Sequence, residues 1–238
     1  MPLASRSFAI LIPLAWTVLP GFAQRLSDFT IPQPAPAGSV LVVGFLGGFE
    51  RWDDEHRSVR KLALDLRSRG LLADTASNHH RKAALKRIRR ALGANRDGRI
   101  DADEAARARV ILYGQSWGGA AVIQTARDLE RLGVPVLLTV QVDSVGLRDA
   151  VVPPNVRAAA NFFQHDLATI RGRGEIRAAD PARTRIIGNY RYSYYFRPVD
   201  EKDASWARRT FGGSHAKMEL DPAIWIQVER LILDASSR

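Results

Sequence analysis

A serine between two glycines is the first feature of the sequence that could do covalent chemistry. Residues Gly114-Gln115-Ser116-Trp117-Gly118 follow the pattern G-x-S-x-G, with an apolar segment before them and a helical pattern after them. In a sharp strand-to-helix turn, this pattern holds the serine hydroxyl above a sheet, and small residues two positions away make room for the tight backbone. The N-terminus of the following helix favours negative charge at the same point. We therefore expect Ser116 to be a nucleophile.

A serine nucleophile needs a base and an acid that orients the base, and in this architecture they follow in the order Ser, Asp or Glu, His. His165 and His215 are the two histidines after Ser116. We expect His215 to be the base, because it lies in a predicted loop between the last strand and the last helix, whereas His165 comes too early. Asp143 is the expected acid because it directly ends a strongly apolar strand. Asp166 at the end of the next strand is the alternative.

Backbone N–H groups at two places could bind an oxyanion. Trp117 directly follows the nucleophile, and the glycine-rich stretch GFLGGFE of residues 44–50 ends the first predicted strand. Glycines in such a loop let the backbone approach a substrate closely. We expect Trp117 and Phe49 to be the two donors, with Leu46 as the alternative to Phe49.

A second motif lies at residues 93–104, which read GANRDGRIDADE. The spacing resembles an EF-hand calcium loop, although a glycine occupies the first position, where an aspartate is the usual ligand. Loss of that carboxylate should weaken binding. Calcium is therefore a candidate ligand, and no other cofactor is required by the predicted chemistry. The candidate calcium ligands are Asn95, Asp97, Arg99, Asp101 and Glu104.

The N-terminus predicts export. Residues 1–23 combine basic Arg6, an apolar run over residues 8–19 and small residues just before Gln24, which is the pattern of a cleaved secretory signal. The apolar run is shorter than the roughly 20 residues that a membrane-spanning helix needs. We expect a secreted or periplasmic mature chain without a transmembrane span. Residues 24–38 contain three prolines and predict an extended linker.

Composition limits the remaining possibilities. The chain has 238 residues, 46% of them hydrophobic and 25% charged, which suits one domain with one sizeable core and excludes wholesale disorder. The chain has no cysteine, so disulfides, thiolate metal sites and a cysteine nucleophile are excluded. The formal charge is +10, but basic residues are scattered, and the densest run, residues 81–90, predicts an amphipathic helix with a solvated basic face. A nucleic-acid partner is therefore not expected.

Apolar strand patterns alternate with helical patterns along the rest of the chain. Strands are predicted over 39–46, 71–75, 109–113, 134–142, 158–164 and 184–189, and helices over 54–69, 81–92, 117–132 and 222–233. This alternation predicts an α/β domain over residues 39–238, with a mostly parallel sheet covered by helices on both faces. Ligands bind such sheets at the carboxyl ends of the strands, where the candidate residues fall.

These residues together resemble the α/β-hydrolase superfamily, in particular its small secreted lipase- and esterase-like members. The resemblance covers residues 40–233, and its most specific element is the turn GQSWGG. It implies the α/β-hydrolase fold and a triad of Ser116, Asp143 and His215. The place of Asp143 is similar to that of the acid in pancreatic-type lipases, whereas the oxyanion loop lacks the His-Gly pair that most members carry.

The sequence thus predicts an exported serine hydrolase that cleaves small-molecule or lipid esters through an acyl-enzyme. An acyltransferase or a thioesterase would use the same triad and remains an alternative. A second alternative, from another class, is a non-catalytic secreted protein that binds partners through its basic surface.

Overall fold

The computed structural model describes residues 29–95, 97–166, 170–202 and 212–237. The predicted secretory signal, residues 1–23, and the first part of the predicted linker, residues 24–28, lie outside the described residues. The rest of that linker lies against the domain. Phe29 is buried and packs edge-on against Trp52 with ring centroids 6.2 Å apart, and the Ala35 N–H donates to the Ala91 carbonyl at 2.8 Å. Phe29 and Ala35 therefore contact the domain, whereas residues 30, 32, 33 and 36–38 are exposed.

Strands and helices alternate along the described chain. The strands are β1 (Leu41–Leu46), β2 (Leu72–Ser77), β3 (Val110–Gln115), β4 (Val136–Val142), β5 (Val151–Val152), β6 (Val156–Gln164), β7 (Arg177–Ala178) and β8 (Arg185–Tyr192). The helices are α1 (Ser58–Ser68), α2 (Arg81–Leu92), α3 (Ala102–Arg107), α4 (Trp117–Glu130), α5 (Gly213–Leu220) and α6 (Pro222–Ser236). Within the described ranges, no helix is long and apolar enough to cross a membrane.

In the described part of the chain, six strands form one sheet in the order β2-β1-β3-β4-β6-β8. Each neighbouring pair in it is parallel, while β5 and β7 form a separate short parallel pair. Parallel neighbours require crossover connections, which here are supplied mainly by helices. The predicted α/β class with a mostly parallel sheet is confirmed. β3 and β4 lie side by side at the centre, so the segments that follow them meet at one edge of the sheet.

Helices cover both faces of this sheet, as predicted. Val42 of β1 belongs to a buried cluster with Leu66 of α1 and Val228 of α6. The next residue, Val43, points to the opposite face and belongs to a second buried cluster with residues of α2 and α4, among them Ile88 and Ile123. Since successive side chains of a strand alternate between faces, a strand with apolar residues at both must be covered on both sides.

Several elements differ from the sequence-based expectations, among them α1, β8 and α5. Helix α1 begins at Ser58 and not at residue 54, because residues 54–57 form a polar turn in which the Arg57 N–H donates to the Asp54 carbonyl at 3.2 Å. Strand β8 extends to Tyr192, and its Tyr190 ring stacks on Phe162 at 5.0 Å. Helix α5 was not predicted, since its first residues, glycine and serine, are typical of a loop.

The packing of β3 leads to a first testable prediction. Leu112 is fully buried in the centre of β3, whereas Leu64 on the outer face of α1 is 37% exposed. We expect Leu112→Ala to lower the free energy of unfolding by about 2–5 kcal/mol, because it removes buried apolar surface and leaves a cavity. Leu64→Ala makes the same chemical change at an exposed position and should alter that free energy by no more than about 0.5 kcal/mol. Urea unfolding of both variants measures the difference, and equal effects would contradict this account of the core.

Candidate active site

Ser116 occupies a sharp turn between β3 and α4. Its φ of 57° and ψ of −127° lie outside the regions that ordinary residues favour. The two flanking glycines allow this turn, since a Cβ at Gly118 would overlap the carbonyl oxygen of Phe45 and a Cβ at Gly114 would overlap the backbone of Gly118. The Ser116 N–H donates to the carbonyl of Val142 at 2.9 Å, which ties the turn to the end of β4. The tertiary contacts therefore impose the strained backbone at the serine.

A continuous set of hydrogen bonds runs from Ser116 through His215 to Asp143. Ser116 Oγ lies 3.0 Å from His215 Nε2, and His215 Nδ1 lies 2.6 Å from Asp143 Oδ2. Asp143 has no exposed surface and His215 is 8% exposed. An ionised carboxylate can only accept, so Nδ1 carries the hydrogen and Nε2 is left to accept the serine hydroxyl proton. This arrangement can activate Ser116 as a nucleophile.

The three side chains come from different elements of the fold. Ser116 follows β3, Asp143 follows β4, and His215 is the third residue of α5. The expectation that His215 lies in a loop was therefore wrong, although the structure brings it to the expected partners. The histidine that was expected not to take part, His165, lies elsewhere and packs edge-on against Phe163 at 5.1 Å.

Asp166, the alternative acid, binds other groups. Its carboxylate accepts the N–H of Tyr194 at 2.6 Å and the hydroxyls of Ser214 at 2.7 Å and Ser193 at 2.8 Å. Burial opposes ionisation of Asp166, but these three donors outweigh it and hold the pKa of the carboxyl below its usual value. Because Ser214 directly precedes His215, Asp166 fixes the start of the helix that carries the histidine.

The surroundings of Asp143 contain two residues that the sequence analysis missed. Gln164, at the end of β6, donates its backbone N–H to Asp143 Oδ1 and its side-chain amide to Oδ2, both at 3.1 Å. Gly172 lies so close above the carboxylate that a Cβ there would overlap Oδ1. A polar residue that ends a buried strand was a signal that could have identified Gln164. The role of Gly172 depends on a long-range contact for which the sequence contains no signal.

The loop after β1 contacts the nucleophile through Gly47. A Cβ at Gly47 would lie 2.8 Å from the Cβ of Ser116, and the Gly47 N–H donates to Glu50 Oε2 at 3.1 Å. Phe49 is 86% exposed, and its ring meets that of Trp117 edge-on at 5.5 Å. Leu46 is fully buried as the last residue of β1. Phe49, the donor expected from this loop, therefore lies beside Trp117, whereas its alternative, Leu46, belongs to the strand.

A cluster of charged side chains connects this loop to α5. Arg57 pairs with Glu50 at 3.1 Å, with Asp54 at 2.7 Å and with Glu219 at 3.3 Å. Glu219 lies one turn after His215 on α5, so Arg57 links the loop that contacts Ser116 to the helix of the histidine. Burial raises the pKa of Glu50, and the positive charge of Arg57 only partly opposes this effect.

The calcium-like loop uses its acidic side chains for its own backbone. Glu104 accepts the N–H groups of Asn95 at 3.2 Å and Asp101 at 3.1 Å, while Asp101 caps α3 by accepting the Glu104 N–H at 2.8 Å. The Asp97 carboxylate accepts the N–H of Arg99 at 2.7 Å. Among the described residues, no three His, Asp or Glu side chains form a group that could hold a metal ion. Calcium binding stays a prediction of the sequence.

Comparisons with known proteins give likenesses only among solved structures. No family model matches the chain, and no curated protein matches its sequence. RedJ, a thioesterase from the prodiginine biosynthetic pathway in Streptomyces coelicolor, is 13% identical over 90% of this chain and 97% of its own, with a TM-score of 0.38. RedJ with a PEG molecule bound in its active site is 12% identical over 76% of this chain and 90% of its own, with a TM-score of 0.35. A dienelactone hydrolase-like promiscuous phosphotriesterase from metagenomic libraries is 17% identical over 82% of this chain and 86% of its own, with a TM-score of 0.41.

The topology of the chain itself identifies its fold. A parallel sheet with helices on both faces carries a serine at a strand-to-helix turn, and an aspartate and a histidine follow it in chain order. This is the α/β-hydrolase fold.

The close approach of Gly172 to Asp143 leads to a second prediction. We expect Gly172→Ala to displace the carboxylate and weaken its hydrogen bond to His215, because the added methyl group would overlap Asp143 Oδ1. Proton NMR of the His215 Nδ1–H, which a short bond to a carboxylate moves far downfield, measures this change. Gly174→Ala is the matched control, since its methyl group would meet the movable His165 ring. An unshifted Nδ1 signal in Gly172→Ala would contradict the contact.

The raised pKa of Glu50 leads to a third prediction. Below the ordinary value of 4.5 both the folded and the unfolded chain hold the proton, and as the pH rises the unfolded chain loses it first. The contribution of Glu50 to stability is therefore lost as the pH rises through its raised pKa. We expect the stability of Glu50→Gln relative to the unsubstituted protein to increase over that pH range, as measured by urea unfolding. Glu55→Gln, at an exposed position nearby, is the control, and the opposite slope for Glu50→Gln would refute the assignment.

Proposed function

We propose that this protein is an exported serine hydrolase that cleaves carboxylic esters. The observation that carries the proposal is the hydrogen-bonded chain from Ser116 Oγ through His215 to the buried carboxylate of Asp143. The strained backbone of Ser116 supports it, because a residue in such a conformation needs surrounding structure to hold it and is common at functional sites. The proposal of export rests on the pattern of residues 1–23.

The proposed reaction begins when Ser116 Oγ attacks the ester carbonyl carbon as His215 Nε2 takes the hydroxyl proton. Asp143 accepts from Nδ1–H and stabilises the imidazolium that forms. The tetrahedral intermediate then collapses, and His215 returns the proton to the departing alcohol, which leaves an acyl-enzyme. Water, activated by the same histidine, hydrolyses the acyl group and restores Ser116. Every step uses groups of this chain, so the proposal includes no cofactor.

Negative charge on the substrate oxygen needs donors beside Ser116. We assign Trp117 N–H as one of them, because it is the first residue of α4 and its N–H has no partner within the helix. For the second donor we assign Phe49, which lies beside Trp117. The Gly47 N–H is a weaker candidate since it already donates to Glu50. The N-terminus of α4 adds a favourable dipole at the same place.

A fluorophosphonate probe, which reacts with activated serines, tests the proposal. We expect the mature protein to be labelled and Ser116→Ala to remain unlabelled. Asp143→Asn should lower kcat/KM for an activated ester by about 10⁴-fold, because His215 then loses the carboxylate that sets its tautomer. Asp166→Asn changes the other carboxylate in the same way and should cause a much smaller loss, since Asp166 bonds to Ser214 and not to the imidazole.

The results separate the alternatives. A folded protein that the probe does not label, or labelling that persists in Ser116→Ala, would refute the hydrolase proposal and favour a binding role for the basic surface. An equal loss in Asp143→Asn and Asp166→Asn would refute the assignment of the acid. If labelling is found, parallel assays with oxygen esters and thioesters, with and without an added alcohol acceptor, distinguish an esterase from a thioesterase or an acyltransferase.

A further inference from the structure

We propose that Gln164 is a positioning residue that holds the Asp143 carboxylate ionised and aimed at His215. This inference rests on the proposed function, since it assigns to Gln164 a role in the activation of Ser116. The surrounding geometry supports it through the contacts of Gln164, the direction in which its amide points and the exclusion of water from Asp143.

Gln164 contacts both oxygens of the carboxylate. Its backbone N–H donates to Oδ1 at 3.1 Å, and its side-chain Nε2 donates to Oδ2 at 3.1 Å. Oδ2 is the same oxygen that accepts His215 Nδ1–H at 2.6 Å. Gln164 therefore determines the rotation of the carboxylate about its Cβ–Cγ bond, and with it the direction from which the imidazole is held.

The orientation of the Gln164 amide is set by backbone groups on the side away from Asp143. Its Oε1 accepts the N–H of Asp166 at 3.0 Å, and its Nε2 also donates to the carbonyl of Ile170 at 2.9 Å. A backbone N–H can only donate and a backbone carbonyl can only accept. If the amide were turned over, both of these bonds would be lost. The amide therefore presents a donor to Asp143.

A fixed donor distinguishes the two protonation states of the aspartate. An ionised oxygen accepts readily from N–H groups, whereas a protonated oxygen would point its own hydrogen at another donor. Burial of a charge without compensating hydrogen bonds is costly, and hydrogen bonds to the charged form favour that form. Gln164 supplies two of them without adding a charge next to the histidine.

A short segment closes over the carboxylate and keeps water away from it. We call residues 170–174 the strap. Gly172 of the strap lies against Asp143, and the Arg173 N–H donates to the Ser144 carbonyl at 2.7 Å. The Asn161 amide donates to the Arg173 carbonyl at 2.9 Å. Because the strap leaves Asp143 with no exposed surface, protein groups must supply its hydrogen bonds.

Other charged side chains near the imidazole and its acid are retained when Gln164 is replaced, although the Asp166 N–H loses its acceptor, Gln164 Oε1. Glu50, in the loop after β1, pairs with Arg57, which also pairs with Glu219 on the helix of His215. Asp166 reaches the residue before His215 through Ser214 at 2.7 Å. From the strap, Arg173 pairs with Asp149 at 2.8 Å, next to the loop after Asp143. A change in pH dependence that is larger in Gln164 variants than in Asp166→Asn therefore reports on the contact between Gln164 and Asp143.

The test replaces Gln164 by Met and by Leu. Both substitutions remove the side-chain N–H donor and put an apolar side chain of similar size in its place. We expect kcat to fall by about 10- to 100-fold, as for a misaligned catalytic group, with KM little changed. The acidic limb of the kcat/KM profile should move to higher pH, because a carboxylate with fewer donors stabilises the His215 imidazolium more strongly. Unchanged kcat and an unmoved limb in folded variants would overturn the proposal.

Gln141→Met is the matched control. Gln141 is a fully buried glutamine on β4, two residues before Asp143, and its amide donates to the Asp149 carbonyl at 3.1 Å. The Gln141 amide thus donates to a backbone carbonyl as the Gln164 amide does, but within the described residues it makes no hydrogen bond to Asp143. We expect Gln141→Met to change stability without moving the acidic limb. An equal shift of the limb in Gln141→Met would mean that the effect is a general one of buried amides.

A measurement on the unsubstituted protein covers the case in which the Gln164 variants do not fold. In nitrogen-resolved NMR spectra, the side-chain NH₂ signals of Gln164 should shift as His215 titrates, and those of Gln141 should not. Constant Gln164 signals would overturn the proposal. Labelling of the unsubstituted protein separates the two ideas, since shifting Gln164 signals in a protein with Ser116 intact that the fluorophosphonate does not label would support the contact and refute the hydrolase.

Discussion

The negative charge of Asp143, placed where water cannot reach it, is the constraint on which the site depends. A carboxylate without exposed surface is tolerated only if nearby donors compensate the loss of hydration. Here the donors are His215 and two N–H groups of Gln164. The hydrogen bond from His215 Nδ1 therefore does two things: it compensates the buried charge of Asp143, and it holds the imidazole with Nε2 directed at Ser116.

The parallel sheet is what allows these groups to meet. Register pairs Gln115 of β3 with Val142 of β4, and Val142 in turn with Phe162 of β6. The residues just beyond these pairs, Ser116 and Asp143, therefore emerge side by side at one edge. Strands covered by apolar clusters on both faces cannot easily slide, because a shift by one residue would turn each side chain to the opposite face. The rigid edge keeps hydrogen-bond distances short between groups far apart in the chain.

The histidine reaches this edge from a helix that ionic and polar contacts hold at both ends. Ser214 bonds to Asp166 at its start, and Glu219 bonds to Arg57 near its end. Arg57 also pairs with Glu50, and the Glu50 carboxylate accepts the N–H of Gly47, the loop residue that lies against Ser116. These partly buried ion pairs thus join the loop after β1 to α5. Because Glu50 is buried within them, its pKa is raised.

Local patterns in the sequence were sufficient for the features that arise from neighbouring residues. The glycine spacing around Ser116 predicted the strand-to-helix turn, and apolar periodicity predicted the α/β class, because both depend on backbone sterics and on which faces of an element are buried. Periodicity did not predict α5, since a short helix that begins with glycine and serine has little pattern of its own.

Only the tertiary structure could decide between groups that look alike along the chain. Asp143 and Asp166 both follow strands, and the difference between them is that Asp143 contacts the imidazole while Asp166 contacts the residue before it. Gln164 and Gly172 gain their places through contacts across the sheet edge, which no spacing in the sequence encodes. Residue type and local spacing thus determined which groups could do chemistry, whereas long-range packing decided which of them touch, because a hydrogen bond depends on distances that the chain acquires only when it folds.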